Sequence, residues 1–572
     1  MHNPERWAVV LTVAAMAFAA TAVLVATLGG LSAGSVNSGV AGTSLALGLL
    51  VAGLSARAMR LVPVSAPAGQ SPALVERFAV AAAWLTLLLA GFRQFFWLGR
   101  SDGVSVSQLN PYNYGDLPLH WSYVRFFAEG ASFWPQNPIF AGSRLSYPIG
   151  SDLLAALFVR LGADTGLVFR VTGGLAIVGL AVALRRWGGG LAIAAFVFSG
   201  GFALSRFSPG ALLRPDDYDL AWKNALLSLF VPQRGFLFAL PVGLLLLWSA
   251  REKLLRDGRG LPGPVVGRLW GALPLFHVHT FLVVSVVCAV WAIGRLRVAA
   301  MGASLAVAVP LATFGLWLVT DGFSAARLVW WKPGWMIGSD NALAFLLLNF
   351  GLLPPLAVLM LLRPPRQDAS ATRFTLAPAL GLFAALFFVV LAPWEWDNTK
   401  AFVWCVLLML GPLSAWLAEK PLAWRIGLGA LVLLPGVPSA LGGFLASKPL
   451  EVFEEAELAS VCAALRGFPA DARVATVQTF NHPVGLCGHA LVAGYAGHLW
   501  SHGLRADPVQ ERLGRLMKGE PGWEADARAL QARYVFWGPR EARAFPFSKR
   551  PWAEGARRLA QTPYGEIFAL AD

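Results

Sequence analysis

Charged residues are scarce in this 572-residue sequence: Asp, Glu, Lys and Arg make up 14% of it, against about 25% in ordinary soluble domains. That shortage excludes a water-soluble globular chain of this length. Cysteine is scarce too. The four present, Cys288, Cys405, Cys462 and Cys487, have no metal-ligand spacing, which argues against a cysteine-built metal centre. No solenoid-type repeat and no low-complexity tract occur. A cleaved leader is not expected either, because the first apolar run, 7–31, is too long for a signal h-region and reads as a retained span.

Apolar side chains take the place of charge. They form 56% of the chain, and the mean hydropathy is +0.59. They fall into runs at 7–31, 38–56, 78–98, 167–184, 190–207, 235–250, 265–276, 277–293, 301–319, 341–362, 374–391, 401–418 and 426–446. Runs of this kind mark bilayer-spanning helices, so the expected fold class is a polytopic α-helical membrane protein of about 13 spans. The short piece from Leu153 to Leu161 is too brief to cross and is expected to be interfacial. The runs 265–276 and 277–293 break at Pro274 and HVH and read as two legs meeting near the outer surface.

The net charge of +14 does not point to nucleic acid, because the basic residues cluster in short loops between runs. With the N-terminus in the cytoplasm, the inner loops hold Arg57 and Arg60, Arg185 and Arg186, Arg251 through Arg268, Arg295 and Arg297, Arg363 through Arg373, and Lys420 with Arg425. That is a positive-inside pattern. The outer segments are then 99–166, 208–234, the HVH apex, 320–340, 393–400 and everything after Ser447. Two domains follow: a membrane domain over 1–447, with 99–166 as a large first outer loop, and a soluble extracytoplasmic tail over 448–572. In the tail EEAELASVCAALRGF and WEADARALQAR read as helices, and ARVATVQ and RYVFWG as buried strands, which predicts a small α/β domain. Cys462 and Cys487 are able to pair if the tail lies in an oxidising compartment.

The chemistry gathers on the outer side. The stretch Asn110 to Ser151 is dense in aromatic and polar groups. In its YGDLPLHW, Asp116 and His120 are four residues apart and face the same way on a helix starting near Pro118. Asp116 suits a helix cap or a general base that takes a proton from an acceptor nucleophile. Asp216, Asp217 and Asp219 in RPDDYDLAWKN suit a divalent cation (Mg or Mn) or a solvated, helix-capping loop. Arg234, opening a span after PQR, suits a phosphate or an interfacial anchor. His277 and His279 in PLFHVHTF lie at membrane depth, where ionisable groups are costly. Their i, i+2 spacing disfavours a helical metal pair and suits phosphate contact or proton transfer. PWEWDNTK brings Asp397 and Lys400 to the mouth of a span, and WWKPGW adds Lys332. Four of the eight histidines, His482, His489, His498 and His502, lie in one tail segment. They match no compact zinc spacing, and docking of that segment onto the membrane cleft is the expectation.

An acid near the start of a large first outer loop, shorter outer loops with acids and cations, and a C-terminal domain outside resemble the GT-C superfamily of integral-membrane glycosyltransferases. The segments that carry the resemblance are GDLPLHWSYVRFFAEG with PIFAGSRLSYPIG, then WKNALLSLFVPQRG, PLFHVHTF and WEWDNTK. The resemblance implies transfer of a sugar, with inversion, from a polyprenyl-phosphate-linked donor to a glycan, lipid or protein acceptor. The setting would be the outer face of a bacterial cytoplasmic membrane. It implies that Asp116 is the catalytic acid of the first loop and that phosphate is held by residues such as Arg234, His277, His279 and Lys400. Many members carry paired acids in that loop, whereas here a lone GD precedes His120, and no obligatory metal is expected. Two other readings compete: a transporter or flippase for a lipid-linked glycan, and a non-catalytic envelope assembly protein.

Overall fold

The computed structural model describes residues 4–61, 74–202, 220–323, 329–446, 449–555 and 557–570. From the N-terminus the helices are α1 (Pro4–Ala33), α2 (Ser38–Leu61), α3 (Leu74–Trp97), α4 (Asp116–Ala128), α5 (Gly150–Arg160), α6 (Thr165–Val197), α7 (Arg234–Leu255), α8 (Gly263–Phe276) and α9 (Val278–Gly294). They continue with α10 (Gly302–Val319), α11 (Ala342–Phe350), α12 (Leu353–Leu362), α13 (Ala369–Ala385), α14 (Thr399–Ala418), α15 (Leu422–Leu433) and α16 (Val437–Leu445). Among the described residues eight helices are long and apolar enough to cross a membrane, or nine if α11 and α12, which meet at 93°, form one broken span.

Among the described residues fewer helices reach spanning length than the expectation of about 13 spans. The described parts of runs 167–184 and 190–207 lie in α6, which leaves helical geometry at Gly188 and Gly189. Phe230 meets both Phe196 and the Phe95 that packs on Gly173, so the second leg folds back along the first, as the charged break at Arg185 and Arg186 predicts. Residues Leu422–Leu445 act as one span. The legs α8 and α9 have 14 and 17 residues, so each rises only about 21–26 Å at ~1.5 Å per residue. They meet at His277, as the HVH break predicts. The piece expected to be interfacial is α5, and it is buried instead: Leu153, Ala155, Ala156 and Leu157 are inaccessible, packed between α4 and the helices α1, α2, α6 and α7. Its apolar face meets protein, not the bilayer surface.

Burial sorts the helices into centre and rim. The most apolar stretches of α7 and the span ending in α14 are 94% and 83% buried, whereas those of α2 and α3 are 22% and 28% buried. The central pair is therefore the core, and α2 and α3 turn apolar side chains outward, as lipid-facing helices do.

The two ends of the bundle differ in chemistry. At one end arginines tie helix termini together: Arg185 to Glu5 at 3.3 Å, Arg297 to Asp257 at 2.5 Å, and Arg256 to Asp368. At the other end the chain leaves regular structure, and asparagines satisfy the freed backbone groups, as apolar surroundings demand. Asn110 Nδ2 donates to Leu227 O, Asn224 Nδ2 to Val197 O and Ser199 O, and Asn398 Nδ2 to Leu386 O and Val389 O. These bonds hold the backbone on either side of α4 and α14, where the candidate site lies.

The C-terminal part builds onto that same end. The hairpin β1 (Arg100–Ser101) and β2 (Ser105–Gln108) belongs to the first loop, and a short ladder joins β3 (Trp330–Trp331) to β4 (Val389–Val390). The tail strand β5 (Leu450–Glu454) pairs antiparallel with β2. Next come β6 (Arg473–Ala475), β7 (Ala532–Trp537), β8 (Arg558–Thr562) and β9 (Gly565–Ala569), in the order β6-β7-β9-β8 with β6 and β7 parallel. The expected strands and helices of the tail are thus present, the helices at Glu455–Ala464 and Trp523–Ala529. The tail clamps α4: Trp121 meets Phe453 edge to face at 5.1 Å. At Gly488, with φ +89°, an added Cβ would lie 2.6 Å from the Arg125 backbone, so no larger residue fits this approach. Cys462 and Cys487 are disulfide-bonded with Cα atoms 5.2 Å apart; Cys288 and Cys405 are free and buried.

Thiol counting checks this arrangement. A polar maleimide applied to the native protein in detergent should label no cysteine before reduction, and Cys462, the half-buried partner of the pair, after mild reduction. The Cys462→Ser variant should lose about 3 kcal/mol of tail stability, the value for a loop of this size. Labelling of the unreduced native chain at Cys462 or Cys487 would contradict the bond.

Candidate active site

Asp116 is the first residue of α4, after Gly115 at the cap position, and its carboxylate is half-buried. It makes no hydrogen bond or ion pair among the described residues. Burial raises its pKa to about 6, against the opposing pull of His120 and Lys400 and with a small push from Asp397. A group that is a carboxylate at neutral pH yet holds a proton this readily is suited to take one from a substrate.

His120 lies one turn on, facing the same way, and is held by a residue the sequence reading passed over. Its Nδ1 is 2.9 Å from Asp152 Oδ2, at the start of α5. The other carboxylate oxygen of Asp152 is 3.4 Å from Arg234 Nε. A carboxylate only accepts, so Nδ1 of His120 carries the proton and Nε2 is left for the cleft. Arg234 is 3% exposed. Its guanidinium stacks over Phe169 at 3.7 Å and donates to Thr172 Oγ1 at 3.3 Å. The expected phosphate ligand is therefore buried behind His120 and bound to Asp152.

Lys400, one residue into α14, is the cation that faces Asp116. Its Nζ donates to Asp397 Oδ2 at 2.9 Å, and its charge acts on Asp116, His277, His279 and His502. His277 caps α9, its Nδ1 accepting from Thr280 N at 3.1 Å, while its buried Nε2 has no partner among the described residues. His279 Nε2 donates to Leu391 O at 3.1 Å, and the two imidazole rings are 5.7 Å apart. Lys332 stands apart from this group, paired with Glu395 two residues before Asp397.

The tail completes the wall. His498 Nε2 packs against Gly115, where an added Cβ would be 3.1 Å away. His502 stacks on Tyr147 at 4.8 Å, and Tyr147 lies 6.3 Å from His120. Burial lowers the pKa of His498 to about 4 and of His502 to about 3, so both are neutral above pH 5. Burial and the nearby Asp116 and Asp152 keep the Tyr147 phenol protonated. The other two tail histidines lie within the tail: His482 is 2.9 Å from Glu541, and His489 is buried.

Among the described residues no group of side chains is placed to hold a divalent cation. Asp152 is committed to His120 and Arg234, Asp397 to Lys400, and no three His, Cys, Asp or Glu among the described residues lie close enough to hold one. Asp216, Asp217 and Asp219 lie outside the described residues.

No family model and no curated protein sequence matches the chain. Its fold is similar to solved structures of the oligosaccharyltransferase AglB from the archaeon Archaeoglobus fulgidus. With the complex containing an inhibitory peptide and a dolichol-phosphate it shares 14% identity and a TM-score of 0.40, covering 81% of this chain and 69% of that one. With the apo form the values are 13% and 0.41, over 82% and 70%. With the form tethered to an acceptor peptide containing the NVT sequon they are 13% and 0.39, over 87% and 74%. The functional reading rests on the cleft itself.

The two acids should respond oppositely to neutralisation. Asp152→Ala leaves Arg234 buried without its counter-charge and should cost about 3–5 kcal/mol, read as a lowered unfolding temperature in detergent. Asp116 has a folded pKa above its unfolded one, so its ionised form disfavours the folded state as pH rises from 4 through about 6. Asp116→Asn should therefore leave stability at pH 7.5 equal to or above the parent.

Proposed function

We propose that the chain is a membrane glycosyltransferase that moves a sugar from a polyprenyl-phosphate-linked donor to an acceptor on the outer face of the membrane. The observation that carries the reading is the Asp116 carboxylate, without a hydrogen bond or ion pair among the described residues, within electrostatic reach of Lys400 and His120 at the end of an apolar bundle. Two features support the outer side: the arginine-rich end is the opposite one, and the disulfide in the tail suits an oxidising compartment.

In this reaction the acceptor nucleophile gives its proton to Asp116 and attacks the anomeric carbon. The bond from that carbon to the phosphate oxygen breaks on the opposite face, which inverts the configuration. The electron pair leaves with the lipid phosphate. Lys400 neutralises the developing charge, with His277 Nε2–H as a further donor, and a fixed positive charge such as that of Lys400 acts most strongly where charge appears in the transition state. A phosphate leaves without protonation, so no strong general acid is required. His120, aligned by Asp152 and Arg234, orients the acceptor. His498 and His502, neutral and apolar-backed, exclude water that would compete with it.

Transport of a lipid-linked glycan calls for ionisable groups near the bilayer midplane; here they collect at the helix ends.

The decisive assay supplies a panel of polyprenyl-phosphate sugars to membranes containing the protein. Asp116→Asn should reduce transfer by about 10²–10⁴-fold, the range for loss of a general base, while retention of the donor lipid by the purified variant is unchanged. Lys400→Gln should weaken donor retention as well as transfer. Parental transfer by Asp116→Asn would remove Asp116 as the base.

A further inference from the structure

Away from Asp116, the first loop and the tail enclose a second cleft of about 550 Å³, into which Trp134, Gln136, Arg144, Arg473, Arg528 and Arg533 face. Four cations share this space with one acid, Asp471, whose carboxylate already accepts from Ser132 N at 2.8 Å and Ser132 Oγ at 2.7 Å. The arginine in the floor is unusual. Arg473 is 4% exposed, and its Nη1 donates to Asn137 O and Leu491 O, yet among the described residues no carboxylate lies within ion-pair distance of it. Buried charges are normally paired, because an isolated one loses its hydration for no return. Burial lowers its pKa only to about 10, so it stays cationic at neutral pH. At the rim Arg528 and Arg533 are exposed, and neither forms an ion pair among the described residues. Arg144 is also turned outward, 3.7 Å from Asp321.

We infer that this cleft binds an anionic glycan, a chain of sugars bearing carboxylate or phosphate groups. The planar forks of the exposed Arg528 and Arg533 match such groups, the buried charge of Arg473 adds to their attraction, and the volume lies in the range of small-molecule sites. Trp134, held through its Nε1 to Leu145 O at 2.8 Å, presents a flat apolar face to a sugar ring beside the amide of Gln136. The choice of a glycan among anions rests on the proposed glycosyl transfer: the cleft is built from the same first loop that carries Asp116, and it suits the acceptor or the growing product.

The test is calorimetric titration of the full chain in neutral detergent with three probes of similar length: oligogalacturonate, a phosphorylated oligomannoside and neutral maltohexaose. One or both anionic probes should bind at one site while maltohexaose does not. The double variant Arg528→Glu with Arg533→Glu, both positions being exposed, should keep the parental unfolding temperature and bind the anionic probe at least about tenfold more weakly, as expected when attractive charges become repulsive. Asp116→Asn should bind as the parent does. No binding of either anionic probe, equal binding of the neutral one, or unchanged affinity in the double variant would overturn the inference. Loss of the catalytic proposal alone would show instead as full transfer by Asp116→Asn, with anion binding intact.

Discussion

The candidate site depends on an unequal treatment of two carboxylates. Asp152 is as deeply buried as any group in the bundle, and both its oxygens meet positive or proton-donating partners, Arg234 on one side and His120 on the other. Asp116, four residues before that histidine, has no such partner and keeps only the long-range attraction of His120 and Lys400. Low-dielectric surroundings make this difference large. A fully paired carboxylate is a fixture that aligns its neighbours. A desolvated, unpaired one remains reactive toward protons, and the surrounding structure must hold it in place by other means.

Those means are backbone contacts and packing. α4 is pinned by α5 beneath it, by the aromatic contact of Trp121 with Phe453, and by the close approach of Gly488 to its backbone. α14 brings Lys400 to the same cleft because Asn398 anchors the preceding turn to Leu386 and Val389. The tail is more than an appendage in this arrangement. It adds a strand to the hairpin of the first loop, and it supplies His498 and His502 as uncharged walls. Neutral imidazoles leave the balance of charge around Asp116 to Lys400 and His120, so the acid is neither quenched by a tight ion pair nor flooded by water.

Much of this is legible in the sequence where the signal is local. Apolar run lengths give the bundle, the i, i+4 spacing of Asp116 and His120 gives their common face, and the strand patterns of ARVATVQ and RYVFWG give two neighbours in one sheet. The misreadings share a cause, which is that tertiary contact decides what local pattern leaves open. In the RRWGGG segment charge and glycine mark the break where α6 leaves helical geometry at Gly188 and Gly189, but nothing local tells that the charge there is covered by protein. Arg186 is covered there, tucked over the Trp248 ring at 5.9 Å. The short helix α5 looks interfacial because 11 residues cannot cross a bilayer, and nothing local tells that protein covers its apolar face. Asp152 and Tyr147 carry no motif and become visible only through partners distant in the chain. Arg234 looks like a phosphate ligand at a helix start, and only its contact with Asp152 reveals its inward role.

The most direct measurement is the titration of the Asp116 carboxyl group itself, by infrared difference spectroscopy of the parent against Asp116→Asn with aspartate isotopically labelled. Desolvation without a partner predicts a protonated carbonyl band, absent from the variant, that disappears with a midpoint near pH 6. A midpoint near pH 4, the value of a hydrated aspartate, would mean that the carboxylate is solvated or paired, and the account of the cleft would be wrong.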